Sequence, residues 1–148
     1  MCGICGFVGK VNNSKKILKT MVDRIAHRGP DDMGMYVDDL AALGHRRLSI
    51  IDLNHGYQPM YNETGDLAIV FNGEIYNHLE LREDLIRRGH TVANDSDTEC
   101  LIHGYEEYGK EFLTMLRGML HLLFGTLKLK HCLVPETILV SNLFIMQM

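Results

Sequence analysis

The strongest constraint on the fold is how the apolar periodicity changes along the chain. Residues 2–9 (CGICGFVG) are a short apolar run spaced by glycine, read as a first strand that another backbone or a ligand can approach closely. Helical spacing follows at 15–27, with Ile17, Leu18, Met21, Val22 and Ile25 on one face, and His27-Arg-Gly-Pro-Asp31 stops it. Strands are predicted at 33–37, 40–48 and 67–72, separated by a polar loop through Asn54-His-Gly and Asn62-Glu-Thr-Gly. A helix is predicted after Asn77, with Glu80 as its capping-box partner and Gly89 as its stop. Another starts at Ser96-Asp-Thr-Glu99 and runs through Tyr108. This alternation is too irregular for a wound parallel sheet and predicts a layered α+β domain.

At 148 residues the chain is long enough for one domain with its own core. A net charge of −4 and a pI near 6.0 leave no basic footprint, so no nucleic-acid partner is expected. Without a secretory apolar segment or a membrane-length apolar run, the expectation is a cytoplasmic chain with no membrane partner. The four cysteines, at 2, 5, 100 and 132, are read as reduced thiols. Cys2-Gly-Ile-Cys5 has the C-x-x-C form but no second ligand pair, so no metal is expected there, and Cys5 is read as a small apolar strand residue.

Cys2 directly follows Met1. If Met1 is trimmed, Cys2 carries a thiol and a free α-amine on one carbon, and an α-amine titrates near ~8. Such a residue holds its own nucleophile and its own general base. A small second residue is common, so Cys2 alone does not establish this chemistry.

Three polar clusters lie at strand-to-loop transitions. In His45-Arg-Arg-Leu-Ser-Ile-Ile-Asp52, Arg47 can fork onto a carboxylate or can be a solvated surface arginine. In Phe71-Asn-Gly-Glu-Ile-Tyr-Asn77, the Asn72 amide and the Gly73 N–H can form an oxyanion hole, although Asn-Gly is also a hairpin-turn signal. In Asp95-Ser-Asp-Thr-Glu99, Asp97 can accept from a substrate ammonium, or the segment can be only a helix cap. With the thiol, the clusters suit an amino acid that carries a hydrolysable side-chain amide, of which glutamine is the obvious example.

MCGICGFVG, HRGPDDMG, GHRRLSIID, FNGEIYN and DSDTE, in this order and spacing, resemble the glutaminase domain of class II glutamine amidotransferases. RLSIID with NGEIYN favours the asparagine synthetase branch over glucosamine-phosphate synthase or the purine amidotransferase. The resemblance implies Cys2 as nucleophile, Asn72 and Gly73 as oxyanion hole, and Arg47 and Asp97 as holders of the glutamine α-carboxylate and α-amine. Leu48, Ser49, Ile50, Ile51 and Glu74 are implied to line the glutamine pocket. The implied fold is the N-terminal nucleophile hydrolase sandwich, a four-layer αββα arrangement of two antiparallel sheets between helical layers. L-glutamine is the implied partner, and glutamate and ammonia arise through a Cys2 thioester. No cofactor is implied for that reaction; ATP and Mg belong to a synthetase domain that this chain is expected to lack.

The resemblance covers residues 1–119 and then stops. Where the family continues GMFAFAIWD and ARDxFGxKPxYY, this chain reads LHLLFGTLKLKHCLVPETILVSNLFIMQM. Residues 119–126 can be encoded ATG TTG CAT TTG CTA TTT GGG ACA, and one T inserted after ATG TT makes this read MFAFAIWD. Residues 131–148 can likewise be encoded so that the shifted frame reads ALFGARDYFGIKPFYYAN. Residues 120–148 are therefore expected to be an out-of-frame tail, leaving the sandwich incomplete at the C-terminus with exposed strand edges and a poorly filled core. Apolar segments at 137–140 and 143–146 predict self-association. Two alternatives stay open, an inert truncated product and the glutaminase subunit of another class II amidotransferase.

Overall fold

The computed structural model describes residues 2–49, 56–92, 96–126 and 131–133. The elements are β1 (Gly3–Val8), α1 (Ser14–Arg24), β2 (Asp32–Val37), β3 (Ala41–Arg47), β4 (Met60–Tyr61), β5 (Leu67–Ile75), α2 (His78–Arg87), α3 (Asp97–Tyr108), α4 (Phe112–Met115), β6 (Gly118–Thr126) and β7 (His131–Leu133). Short 3-10 turns at Ala26–Arg28 and Gly109–Glu111 follow α1 and α3. The strands form two antiparallel sheets, ordered β1-β3-β2 and β4-β5-β6-β7.

Three apolar clusters define the layers. Leu18 and Val22 of α1 are buried against Ala42 of β3, with Cys5, Phe7 and Met35 around them. On the other face of that sheet, Ile4, Tyr36 and Leu43 meet Ala68 and Val70 of β5. Leu67, Ile69, Phe71 and Ile75 face away from that contact and pack with Leu81 of α2, Leu101 and Ile102 of α3, Phe112 and Leu122. The order is helix, sheet, sheet, helices, the predicted αββα sandwich. Side chains alternate between faces in a strand, so each residue's parity decides which contact it joins. Cys5 packs under α1, as its apolar reading predicted.

The structure departs from several local expectations. β5 continues past residue 72 to Ile75, because its pairing with β6 runs in register from Leu67↔Thr126 to Ile75↔Gly118. Asn72-Gly73 is therefore strand interior rather than a hairpin turn. Gly73 suits the position because a Cβ there would lie 2.1 Å from the Met119 carbonyl oxygen. The first helix ends at Arg24, before His27 as predicted, and a 3-10 turn over Ala26–Arg28 takes over. Asn77 sits at the N-cap of α2 without making a side-chain cap. Its Nδ2 donates to the Met115 carbonyl at 3.0 Å and its Oδ1 accepts the Arg117 N–H at 2.9 Å, so it clamps the entry to β6 instead. Ser96 does cap α3, accepting from the Thr98 N–H at 3.2 Å, and Gly89, at φ 98°, follows the end of α2 as predicted.

Strand pairing does continue past residue 120, into the segment expected to be out of frame. β6 runs through Thr126, so β5 is paired along its whole length. Leu120 and Leu122 fall on the face toward the helices and join the core there, which is all a strand with one buried face requires. Residues 134–148, including the segments expected to self-associate, lie outside the described residues. Among the described residues, no helix is long and apolar enough to cross a membrane.

Candidate active site

Cys2 sits at the start of β1, half-buried, and the register Gly3↔Arg46 and Asp32↔Arg47 brings the start of β1, the end of β3 and the start of β2 to one end of the first sheet. The Cys2 Sγ accepts the Leu48 N–H at 3.4 Å and faces the Leu48 carbonyl at 3.9 Å. Strand parity carried back one residue puts Cys2 on the side of Ile4, toward the second sheet, and opposite to Cys5. Cys2 and Cys5 therefore do not converge as a metal-binding pair. Burial pushes the Cys5 thiol up to about 11, which keeps it protonated and unreactive.

Parity also separates the two adjacent arginines. Arg46 lies on the α1 side, where its Nε donates to the Val22 carbonyl at 3.1 Å and its Nη2 to Asp23 at 3.0 Å. Arg47 lies with Leu43 and His45 on the side toward the second sheet, buried, with its guanidinium 5.3 Å from the centre of the Tyr57 ring. Beyond it, the Ser49 N–H donates to Asp31 Oδ2 at 2.7 Å, and the Asp31 N–H donates to the Arg47 carbonyl at 3.1 Å. The chain before Asp31 passes so close that a Cβ on Gly29 would lie 2.5 Å from the Arg46 carbonyl carbon. The Gly-Pro-Asp turn thus holds Arg47, Leu48 and Ser49 in place. Ile50 and Ile51 lie outside the described residues.

On the second sheet, Asn72 follows Ala68 and Val70 at even spacing, which puts its side chain on the inter-sheet face. Its carbonyl meets His121 Nδ1 at 3.2 Å. Backbone N–H groups alternate between strand edges, and those of Phe71, Gly73 and Ile75 share the edge that faces β4. β4 pairs only with Ala68 and Ile69. Past it, the Phe71 N–H donates to Gln58 Oε1 at 2.6 Å and the Ile75 N–H to Asp97 Oδ2 at 3.4 Å. The Gly73 N–H points out between these two, beside the Asn72 side chain. Glu74 is exposed at the same end.

Asp97 is the first residue of α3 and half-buried, and burial pushes its carboxyl upward against the hydrogen bond from Ile75 and the nearby His78. Gln58 was not singled out from the sequence, yet it links elements, since its Nε2 also lies 3.5 Å from Thr98 Oγ1 on α3. The sequence shows His45 only as part of the motif that carries Arg47. It is buried, its ring is hydrogen-bonded to the Phe71 backbone, and burial with Arg47 nearby lowers it to about 4, so it joins the sheets as a neutral imidazole. Its Nε2 has no hydrogen-bond partner among the described residues.

Residues 1–136 match a family described as "Glutamine amidotransferase domain". The chain is 45% identical over 124 residues to asparagine synthetase [glutamine-hydrolyzing] 1 of Bacillus subtilis (strain 168), covering 78% of this chain and 20% of that protein. It is 44% identical over 122 residues to asparagine synthetase [glutamine-hydrolyzing] 3 of Arabidopsis thaliana, covering 80% and 21%. The chain thus spans about a fifth of the length of these relatives. The structure of an allosteric regulatory enzyme of purine biosynthesis superposes with a TM-score of 0.69 at 22% identity, over 86% of this chain and 36% of that one. Glutamine phosphoribosylpyrophosphate amidotransferase from B. subtilis gives 0.63 at 23% identity, over 84% and 34%. These two likenesses show the fold, two antiparallel sheets between helical layers.

Proposed function

Because the chain belongs to the glutamine amidotransferase domain family, we propose that it hydrolyses glutamine to glutamate and ammonia through a thioester on Cys2. The observation that carries this reading is the β5 edge around Gly73, where Gln58 and Asp97 take the N–H groups of Phe71 and Ile75 on either side, next to an Asn72 side chain that parity gives to the inter-sheet side with Cys2 and Arg47.

Arg47 forks onto the substrate α-carboxylate and Asp97 accepts from its α-ammonium, whose positive charge offsets the upward push of burial on that carboxyl. With both ends of the amino acid held, the side-chain amide is presented to Cys2. With Met1 removed, the Cys2 α-amine takes the thiol proton and the sulfur attacks the amide carbon. The amide oxygen becomes an oxyanion that the Asn72 amide and the Gly73 N–H stabilise, each such donor being worth about 3 kcal/mol in the transition state. The α-amine then protonates the leaving nitrogen, ammonia departs, and water cleaves the glutamyl thioester to glutamate and free Cys2. The thiol, amine and donors on this chain suffice for each step. In proteins of the asparagine synthetase type, a further domain would use ATP, Mg and aspartate to fix the ammonia.

Ammonia release from glutamine by the purified chain tests the proposal. The expected result is release that Cys2→Ala abolishes, with a glutamyl adduct on Cys2 in intact-mass spectra of acid-quenched turnover. Release that persists in Cys2→Ala would sink the mechanism.

A further inference from the structure

We propose a second site, a zinc-class divalent metal centre formed by His90, His103 and Glu106 where the end of α2 meets α3, away from the glutamine residues. The ligand atoms of these three side chains all lie within 4.8 Å of one another. His103 and Glu106 are three apart on α3 and so share a face. His90 reaches them from just beyond Gly89, which turns the chain at the end of α2.

Glu106 Oε2 is 3.0 Å from His103 Nδ1 and 4.0 Å from His90 Nδ1, so both rings aim the same nitrogen at one oxygen. Their other nitrogens also face carboxylates, His90 Nε2 at 3.1 Å from Glu107 and His103 Nε2 at 3.9 Å from Glu63. Each ring makes one hydrogen bond, His90 Nε2 with Glu107 at 3.1 Å and His103 Nδ1 with Glu106 at 3.0 Å, and a second carboxylate stands 3.9–4.0 Å from the other nitrogen. A cation between the two Nδ1 atoms and Glu106 would take a lone pair from each Nδ1 and leave each Nε2–H for the carboxylate beside it, Glu107 for His90 and Glu63 for His103. That carboxylate–histidine–metal order is how protein metal ligands are usually oriented. Glu106 is positioned in the same way, its Oε1 accepting from Asn62 Nδ2 at 2.7 Å and leaving Oε2 for the metal.

The separations suit a small metal. Ligand atoms about 2.0–2.1 Å from a tetrahedral zinc lie roughly 3.3 Å apart, and the observed spacings bracket that value. Two imidazoles and one carboxylate are a borderline donor set that suits zinc rather than magnesium or calcium. Of the three ligands, His103 lines a cavity of about 400 Å³, together with Glu63 and Glu99. Arg88 pairs with Glu107 at 3.1 Å and lowers the local negative charge without touching the three ligands.

The test uses the full chain freed of metal with a chelator, then titrated with Co²⁺ alone and, separately, with Zn²⁺ alone. One equivalent of Co²⁺ is expected to bind with visible d–d absorption and no thiolate-to-cobalt charge-transfer band, and Zn²⁺ to displace it. Glu107→Gln, which removes only an orienting partner, is expected to weaken binding about 10- to 100-fold. His90→Ala and Glu106→Gln, two independent ligand losses with folding checked by circular dichroism, are expected to weaken it further. No stoichiometric binding would overturn the proposal, as would binding unchanged in both ligand variants. A thiolate band removed by Cys2→Ser would overturn it as well, by moving the metal to the cysteines. This site stands independently of the glutaminase reading.

Discussion

Arg46 and Arg47 are chemically identical neighbours with opposite surroundings, and one step of strand parity separates them. Arg46 is spent on α1 through Val22 and Asp23. Arg47 is buried on the inter-sheet side over the face of Tyr57. Arg47→Lys keeps the charge but loses the planar fork and much of the stacking. A hydrogen bond to a charged group is worth about 1.5–3 kcal/mol, so steady-state kinetics of ammonia release should show kcat/KM for glutamine falling about 10- to 100-fold. Arg46→Ala should act differently. Its bonds are one backbone contact and one half-exposed ion pair, together worth about 1–2 kcal/mol, so it should lower the urea midpoint and leave the kinetics close to wild type. Equal kinetic losses from the two variants would remove Arg47 from the substrate-holding role.

At the scale of elements, the edge of β5 is completed by side chains rather than by strand. β4 stops after two paired positions, and Gln58 and Asp97 take the N–H groups of Phe71 and Ile75 on either side of Gly73. Gln58→Ala would leave the buried Phe71 N–H without its acceptor, a loss of about 1–3 kcal/mol. Urea denaturation should register that loss, and kcat/KM should fall as well, because the same edge carries Gly73. A stability loss with unchanged kinetics would separate Gln58 from the site. Gln58 also shows where the sequence stops being informative. Helix α3 was legible because Ser96 caps it locally, and the apolar face of α1 was legible from its spacing alone. The motif around Arg47 was legible as chemistry, while its contrast with Arg46 needed the register of β1 and β2 on β3. Gln58 carries no local pattern, since its partners on β5 and α3 are 13 and 40 residues away. The C-cap at Gly89 followed from composition, but Asn77 was misread because its partners, Met115 and Arg117, are nearly as distant.

For the whole molecule, the C-terminal region sets how much of the sandwich this chain can complete. β6 pairs with β5 through Thr126, and the family match runs to residue 136, past the last motif of the resemblance. Backbone pairing is nearly indifferent to side chains, and the one buried face needs only apolar residues at alternate positions, which Leu120 and Leu122 supply. A shifted reading frame can preserve that much by accident, because codons with T in the middle all encode apolar residues. It does not preserve residue-specific features such as the ARDYFGIKP run recovered from residues 131–148 in the other frame. We therefore propose that residues 120–148 arise from loss of one base near the Met119 codon. Resequencing genomic DNA across that codon is expected either to recover the extra base or to show the shifted frame reading on into synthetase sequence downstream. The repaired chain, MFAFAIWD onward, should then unfold at higher urea and elute from size exclusion with less self-association than the present chain, whose 137–140 and 143–146 segments are apolar and uncharged. An intact frame with no family sequence in the alternative one would make the tail a true divergence, and β6 would then be a strand this chain evolved for itself.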